Sequence, residues 1–221
     1  MKAMIMAAGR GERMRPLTDE LPKPLLKAGG RALIEHALVH LKEAGINEVV
    51  INHAHLGQKI IDFLGDGRRY GMTIQYSAEP DGALETGGGI RQAIDLLDHE
   101  PFLVINSDIW TDFPLQKLPT SLEGLAHLVL VDNPDHHSNG DFYLDGARVN
   151  LDRGKKLTFS GIGVYSPNLF NHLQRGKYPL APILRDAIAK NLVSGEYFSG
   201  KWIDVGTKER LNALEAALSN A

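Results

Sequence analysis

Residues 4–26 read MIMAAGRGERMRPLTDELPKPLL, an apolar run that leads into a loop rich in glycine, proline and positive charge. No polar side chain interrupts residues 4–8, which is typical of a strand buried on both faces of a parallel sheet. Gly9 and Gly11 follow at once. Because glycine tolerates unusual torsion angles and lets a ligand approach the backbone closely, this junction predicts an anion site at the carboxyl end of the first strand.

The same loop concentrates cationic side chains, namely Arg10, Arg13, Arg15 and Lys23. Like charges held together destabilise a fold unless an anion or acidic partners lie among them, and a polyphosphate would supply that anion. The prolines on either side of Lys23 restrict the backbone around it, so this side chain is presented at a low entropic cost. The loop therefore predicts a phosphate site.

Two common phosphate-binding motifs do not account for this loop. The dinucleotide fingerprint fails because Met14 stands where its third glycine is needed. The second predicted strand also ends in Asn52, where an NAD site would have an acidic residue. The P-loop motif is absent from the sequence. These observations exclude both motifs as the basis of the site.

Composition narrows the class of protein further. The 221 residues carry a formal net charge of −3 and include no cysteine. Thiolate metal sites and disulfides are therefore excluded, and a mildly acidic chain lacks the basic face that a large nucleic-acid footprint needs. No segment approaches the roughly 18 apolar residues of a membrane span, and the first apolar run is too short for a signal peptide. We expect a cytoplasmic protein without nucleic-acid or membrane partners.

Strand and helix patterns alternate through the first half of the chain and predict a doubly wound, Rossmann-like α/β fold. Ligands of such folds bind at the carboxyl ends of the strands. In the second half strands dominate, and residues 141–151 predict a β-hairpin that turns at Asp145 and Gly146. The predicted strands are residues 4–8, 48–52, 72–77, 102–108, 125–132 and 157–166, and the predicted helices are residues 32–44, 58–64, 88–97, about 180–190 and 207–218.

Residues 6–26 resemble the signature of the sugar-phosphate nucleotidyltransferases, L-A-A-G-x-G-T-R-x followed by P-L-T and P-K-P. The resemblance covers the whole chain and implies a mixed sheet with a small β-hairpin lobe for the sugar. It implies that Gly9, Gly11, Arg13 and Lys23 bind a nucleoside triphosphate, with the two cations stabilising charge during the transfer. Glu12 is assigned to the same nucleotide site, although the family usually has Thr or Ser there.

Two aspartates are candidate metal ligands. Asp108 ends the apolar run 102–108, where a parallel strand delivers a side chain to the rim of the site. The resemblance implies that Asp108 is catalytic and binds Mg²⁺ together with Asp204, which belongs to a W-x-D-x-G-T motif at residues 202–207. None of the nine histidines has a spacing that requires ligation, so His136 and His137 are interpreted as solvated or structural.

Residues 78–90, AEPDGALETGGGI, resemble the base-reading segment of the family. Glu85 stands in place of the first glycine of that segment, and Gly88 and Gly89 add backbone freedom. The resemblance implies that Glu79, Thr86 and Gly87 contact the nucleotide. From the residues alone, the segment is equally typical of a flexible glycine loop before a helix.

On the sugar side, residues 133–145 resemble the family segment in which a glycine approaches the sugar, here Gly140. Asn106 is a further candidate for the sugar phosphate. The E-K-P motif that usually follows is missing, and the sequence leaves open which side chain replaces it. The candidates are Asp152, Arg153, Lys155 and Lys156, of which Lys156 is favoured because it lies nearest the following strand.

The resemblance implies a single domain, 1–221, with a nucleotide-binding half (about 1–110) and a sugar-binding half (about 111–221). The substrates it favours are UTP and N-acetylmuramate α-1-phosphate, whose carboxylate calls for a further cation such as Lys156 or Lys201. GTP with mannose 1-phosphate is the alternative pair, and a non-catalytic nucleotide-sugar sensor is the alternative of another class. We expect a monomer or a small homo-oligomer.

Overall fold

The structure is a computed structural model that describes residues 1–79 and 83–219. The strands in these ranges are β1 (Ala3–Met6), β2 (Lys27–Ala28), β3 (Arg31–Ala32), β4 (Glu48–His53), β5 (Thr73–Ala78), β6 (Phe102–Asn106), β7 (Ile109–Thr111), β8 (Ala126–Val131), β9 (Phe142–Asp145), β10 (Arg148–Asn150), β11 (Lys155–Tyr165), β12 (Val193–Phe198) and β13 (Trp202–Asp204). The helices are α1 (Leu33–Glu43), α2 (Gly57–Leu64), α3 (Glu85–Ala93), α4 (Leu180–Ala189) and α5 (Lys208–Ser219). None of the helices described is long and apolar enough to cross a bilayer.

One mixed sheet organises the molecule, in the strand order β5-β4-β1-β6-β11-β8-β12-β10-β9. The strands β5, β4, β1 and β6 are parallel, whereas β11 runs antiparallel to both β6 and β8. The register pairs Met6 with Asn52 on one side and with Asn106 on the other. The loops that follow these three strands therefore leave the sheet side by side.

Helices cover both faces of the parallel strands, which explains their uninterrupted apolar sequences. On one face Ile5 packs in a cluster with Leu38 of α1 and residues of α2. On the other face Met4 packs in a cluster with Ile90 of α3 and residues of α4. This arrangement confirms the predicted doubly wound α/β fold.

The predicted hairpin is formed by β9 and β10, which are joined by Gly146 and Ala147, one residue later than the predicted turn at Asp145 and Gly146. β9 also pairs with the first residues of β11, and β11 continues beside β8, so this end of the sheet closes on itself. We call the hairpin β9–β10 and the first residues of β11 (Lys155–Leu157) the hairpin lobe. The register of β11 shifts between Phe159 and Gly163, where Gly161 adopts a φ of 82° that favours glycine.

The C-terminal helix returns to the opening loop. Leu211 and Leu214 of α5 share a buried cluster with Met14 and Leu26. Just before α5, the short strand β13 pairs with β7, which the sequence did not predict because each strand has only three residues. The C-terminal helix and the strand pair β7–β13 therefore lie beside the predicted phosphate loop.

Helix α3 begins earlier than the sequence predicts, at Glu85 instead of residue 88. Gly88 and Gly89 lie inside this helix and are buried, so they do not supply the loop freedom that was predicted. A Cβ at Gly88 would collide with the carbonyl oxygen of Gly176, and one at Gly89 would lie 2.5 Å from Glu79 Oε1. These glycines permit close packing. Residues 80–82 of the predicted base-reading segment lie outside the described residues.

Candidate active site

The opening loop and the ends of the parallel strands enclose a cavity of about 560 Å³, which we call the loop cavity. Predicted site residues from three separate parts of the sequence meet in this cavity. Those that line it are Gly9, Gly11, Glu12, Arg13, Lys23, Glu79, Thr86, Asn106 and Asp108. Gly87 does not line it, since a Cβ at this position would lie 2.6 Å from Ile183 Cδ1 and 2.9 Å from the Tyr178 carbonyl oxygen.

The two glycines of the opening loop differ in their surroundings. Gly11 adopts a φ of 65°, and its carbonyl accepts hydrogen bonds from Met14 N and Thr18 Oγ1, each at 2.8 Å. The conformation of the loop itself therefore requires glycine at position 11. A Cβ on Gly9 would meet no atom of the described chain within 4 Å, and its φ is not positive. Nothing in the folded chain requires glycine at position 9, so this open space fits a ligand.

Lys23 and Asp108 form an ion pair inside the loop cavity. Lys23 begins a short 3-10 turn after Pro22, and its side chain is only 11% exposed. Asp108 lies in the turn between β6 and β7, and its carbonyl accepts a hydrogen bond of 2.7 Å from Val205 N. The predicted phosphate loop and the predicted metal ligand are therefore in direct contact.

A buried network links the ends of three strands on the far side of the loop cavity. Asn52 Oδ1 accepts a hydrogen bond of 2.7 Å from Ala7 N, and Asn52 Nδ2 donates one of 2.7 Å to Glu79 Oε1. Leu84 N donates to the other Glu79 oxygen at 2.6 Å. Burial raises the pKa of Glu79 above its usual value, although both hydrogen bonds favour the ionised form. The carboxylate is held as an acceptor facing the cavity.

Sequence reasoning missed Asn52, which it used only to exclude an NAD site. The signal available in the sequence was a polar side chain at the end of an apolar strand. In the structure this side chain is buried, with Asn52 only 1% exposed. It also missed Lys177, which lines the loop cavity opposite Glu85, with Nζ 3.8 Å from the Glu85 carboxylate. Glu85 has a φ of 62°, in the left-handed region that favours glycine, which agrees with the glycine of the family pattern.

A second cavity of about 310 Å³ lies between the opening loop and the bulged part of β11, and we call it the lobe cavity. It shares Arg13, Asn106 and Asp108 with the loop cavity. Asp204 lines it from β13, and His136 and His137 line it from the turn after β8. The two cavities therefore have a common wall formed by predicted site residues.

Asp108 and Asp204 fit a shared magnesium site. β13 pairs with β7 so that Asp204 lies opposite Ile109, the residue after Asp108, and both carboxylates line the lobe cavity. Among the described residues, no group of three or more His, Asp or Glu side chains could hold a metal. Two carboxylates leave positions for water and substrate oxygens, which is how octahedral Mg²⁺ is commonly bound.

The predicted sugar-side residues Gly140, Asp152 and Lys156 line neither cavity. Gly140 has a φ of 58°, and a Cβ there would lie 2.6 Å from Asn133 Oδ1, so the turn itself requires glycine. Asp152 is exposed in the loop before β11, and Lys156 Nζ lies 5.4 Å from the centre of the Tyr143 ring. Lys201 is exposed at the start of β13. Among the described residues, the side chains at the lobe cavity that can carry positive charge include Arg13, His136 and His137.

Comparison with known proteins agrees with this architecture. Two curated N-acetylmuramate alpha-1-phosphate uridylyltransferases are similar to the chain. The protein from Neisseria meningitidis serogroup B is 51% identical over 98% of this chain and 97% of its own length, and the protein from Caulobacter vibrioides is 32% identical over 99% and 97%. A putative glucose-1-phosphate thymidylyltransferase from Bacillus anthracis, solved with sucrose, shares the fold, with a TM-score of 0.87 at 23% identity over 100% of this chain and 96% of that one. Residues 2–142 match the nucleotidyl transferase family, and the chain belongs to that family.

Proposed function

We propose that the protein transfers a uridylyl group from UTP to N-acetylmuramate α-1-phosphate and releases pyrophosphate and UDP-N-acetylmuramate. The observation that carries this proposal is the common wall of the loop cavity and the lobe cavity, formed by Arg13, Asn106 and Asp108. A donor in one cavity and an acceptor in the other would bring their reacting groups together at this wall. The two curated uridylyltransferases, similar over nearly their full length, support this choice of substrates.

In the proposed reaction, an oxygen of the sugar phosphate attacks the α-phosphorus of UTP in line with the bond to the β-phosphate. The new phosphorus–oxygen bond forms as that bond breaks, and the electron pair leaves with pyrophosphate. The attacking phosphate is already ionised, so catalysis consists of positioning and charge stabilisation. Arg13 and Lys23 would stabilise the charge that grows on the α-phosphate and the leaving group.

We also propose that Mg²⁺ is the cofactor and that Asp108 and Asp204 hold it. Bound there, Mg²⁺ would neutralise phosphate charge and orient the reacting oxygens. Because N-acetylmuramate is a sugar of the bacterial cell wall, we place the reaction in peptidoglycan recycling in the cytoplasm. The turn residues His136 and His137, which were interpreted as solvated or structural, are then candidates for the acceptor carboxylate in place of Lys156 and Lys201.

The proposal predicts which substrate pair supports turnover. The protein is incubated with Mg²⁺, each common nucleoside triphosphate and a panel of sugar 1-phosphates, and pyrophosphate release is measured. We expect the fastest release with UTP and N-acetylmuramate α-1-phosphate. Release confined to GTP and mannose 1-phosphate would make the protein a guanylyltransferase, and no release with any pair would favour a nucleotide-sugar sensor.

Two glycine variants separate ligand binding from folding. Gly9→Ala fills space that no described atom of the chain occupies, so we expect the KM for UTP to rise about tenfold while the free energy of unfolding changes by less than about 0.5 kcal/mol. Gly88→Ala drives a Cβ into the carbonyl oxygen of Gly176, and we expect a loss of about 1–3 kcal/mol in unfolding free energy. Urea denaturation measures the free energy of unfolding, and turnover at varied UTP concentration measures the KM for UTP. Equal destabilisation by the two variants would contradict the assignment of Gly9.

A further inference from the structure

Arg210, in the first turn of α5, holds both oxygens of the proposed metal ligand Asp204. Its Nη1 donates to Asp204 Oδ1 at 2.6 Å and to Oδ2 at 2.7 Å. The Arg210 side chain is 18% exposed, and that of Asp204 is 25% exposed. Arg210 N donates a hydrogen bond of 3.4 Å to Thr207 Oγ1, which caps the start of the helix. The backbone of Arg210 is therefore fixed by the helix, and its guanidinium contacts the Asp204 carboxylate.

Other nitrogen-bearing side chains lie close to the same carboxylate or to the guanidinium that holds it. His136 Nε2 lies 3.1 Å from Asp204 Oδ1 and also contacts Arg210 Nη1. A Cβ on Gly206 would collide with the Arg210 guanidinium and lie 3.2 Å from Arg13 Nη2, so glycine at position 206 leaves room for both arginine side chains. The Arg210 guanidinium and the His136 imidazole thus contact Asp204, and Arg13 lines the same cavity. Two arginine side chains beside the lobe cavity fit a site that receives an anion.

We propose that Arg210 occupies Asp204 in the metal-free protein and binds an anionic group of the acceptor once a divalent metal has taken the carboxylate. The inference rests on the proposed function, because it assigns the acceptor phosphate or carboxylate to the lobe cavity. The Asp204 oxygens that accept from the guanidinium are the atoms that a metal would use. Once displaced, the guanidinium is an unpaired bidentate donor beside Arg13, which suits a phosphate or carboxylate.

The exchange of Arg210 for a metal at Asp204 couples the binding of the metal to the binding of the acceptor anion. Arg210 opposes metal binding, both by occupying the carboxylate and by the repulsion between like charges. An acceptor anion that draws Arg210 away therefore makes Asp204 available to the metal, and the metal makes Arg210 available to the anion. By linkage, each ligand strengthens the binding of the other by the same factor.

The first test measures metal affinity without substrates. Mn²⁺ binding is followed by electron paramagnetic resonance for the wild-type protein, Arg210→Gln, Arg210→Lys and the control Lys208→Gln, which removes an exposed charge from the same turn. We expect Arg210→Gln to bind Mn²⁺ about tenfold more tightly and Arg210→Lys to lie between it and wild type. Lys208→Gln should match wild type, and Asp204→Asn should lose the site. Weaker or unchanged Mn²⁺ binding by a folded Arg210→Gln would overturn the proposal, because it would mean that Arg210 does not compete for Asp204.

The second test separates the two substrates kinetically. We expect Arg210→Gln to raise the KM for N-acetylmuramate α-1-phosphate by about tenfold or more, while the KM for UTP stays within about twofold. A merely structural role for Arg210 would move both constants together and would contradict the inference. If the wild-type protein turned over no substrate pair, the proposed function would fail on that result alone, whereas the order of Mn²⁺ affinities would still decide the role of Arg210 at Asp204.

Discussion

Replacing Asp108 or Asp204 with asparagine should lower the rate of pyrophosphate release by about 10³-fold while the protein remains folded. The amide has the shape of the carboxylate but not its charge, and the two side chains line one cavity, Asp108 from the turn before β7 and Asp204 from β13, which pairs with β7. Loss of either would leave the proposed Mg²⁺ with one anionic protein ligand. The measurement is turnover at saturating UTP and acceptor across a Mg²⁺ titration.

Asp132→Asn is the matched control for these variants. Asp132 is exposed, pairs with Lys155 at 2.7 Å and lines neither cavity, so we expect its turnover to equal that of wild type. Thermal unfolding of every variant separates loss of metal from loss of structure. Full activity of folded Asp204→Asn would show that Asp204 is not a required metal ligand.

Replacing Lys23 with methionine should reduce kcat by about 10²- to 10³-fold. Lys23 is held by the turn after Pro22, and its ammonium group lies at the Asp108 carboxylate, beside the wall shared by the two cavities. Methionine keeps an unbranched side chain, one atom shorter than that of lysine, but supplies no charge where the proposed reaction develops negative charge. Kinetics with UTP varied at saturating acceptor measure kcat and KM separately.

Lys27→Met is the control for Lys23→Met, since Lys27 is exposed in β2 and lines neither cavity. We expect the control to retain wild-type kcat. If Lys23→Met raised only the KM for UTP and left kcat unchanged, Lys23 would contribute equally to ground-state and transition-state binding. That result would remove it from the catalytic group while keeping it in the nucleotide site.

Much of the loop cavity could be predicted because its residues follow apolar strands whose ends must meet in a parallel sheet. Gly9 follows β1 and Asp108 follows β6, and the register of these strands places their ends side by side. Lys23 could be predicted because the flanking prolines limit its backbone. In each case, a short stretch of sequence indicates both where the side chain lies and what kind of group it can bind.

The lobe cavity was harder to predict because its geometry depends on long-range register. Asp152 and Lys156 were assigned by their place in the sequence, but β11 pairs with β9 at one end and with β8 beyond it, which leaves these side chains outside the cavity. Asp204, which Arg210 contacts, is placed beside the turn that carries Asp108 by the pairing of β13 with β7. A local sequence pattern does not determine which distant strands pair, so sequence periodicity could not predict these pairings.

The long strand β11 also bears on how the family could vary its substrates. Its end beside β6 belongs to the wall next to Asn106, whereas its beginning carries the hairpin β9–β10 through main-chain pairing at Lys155–Leu157. Main-chain hydrogen bonds constrain side-chain identity little. Sequence drift in the hairpin is therefore expected at its exposed residues 145–148, whereas Phe142 and Val149 are buried in the same apolar cluster as Met4 and must remain apolar.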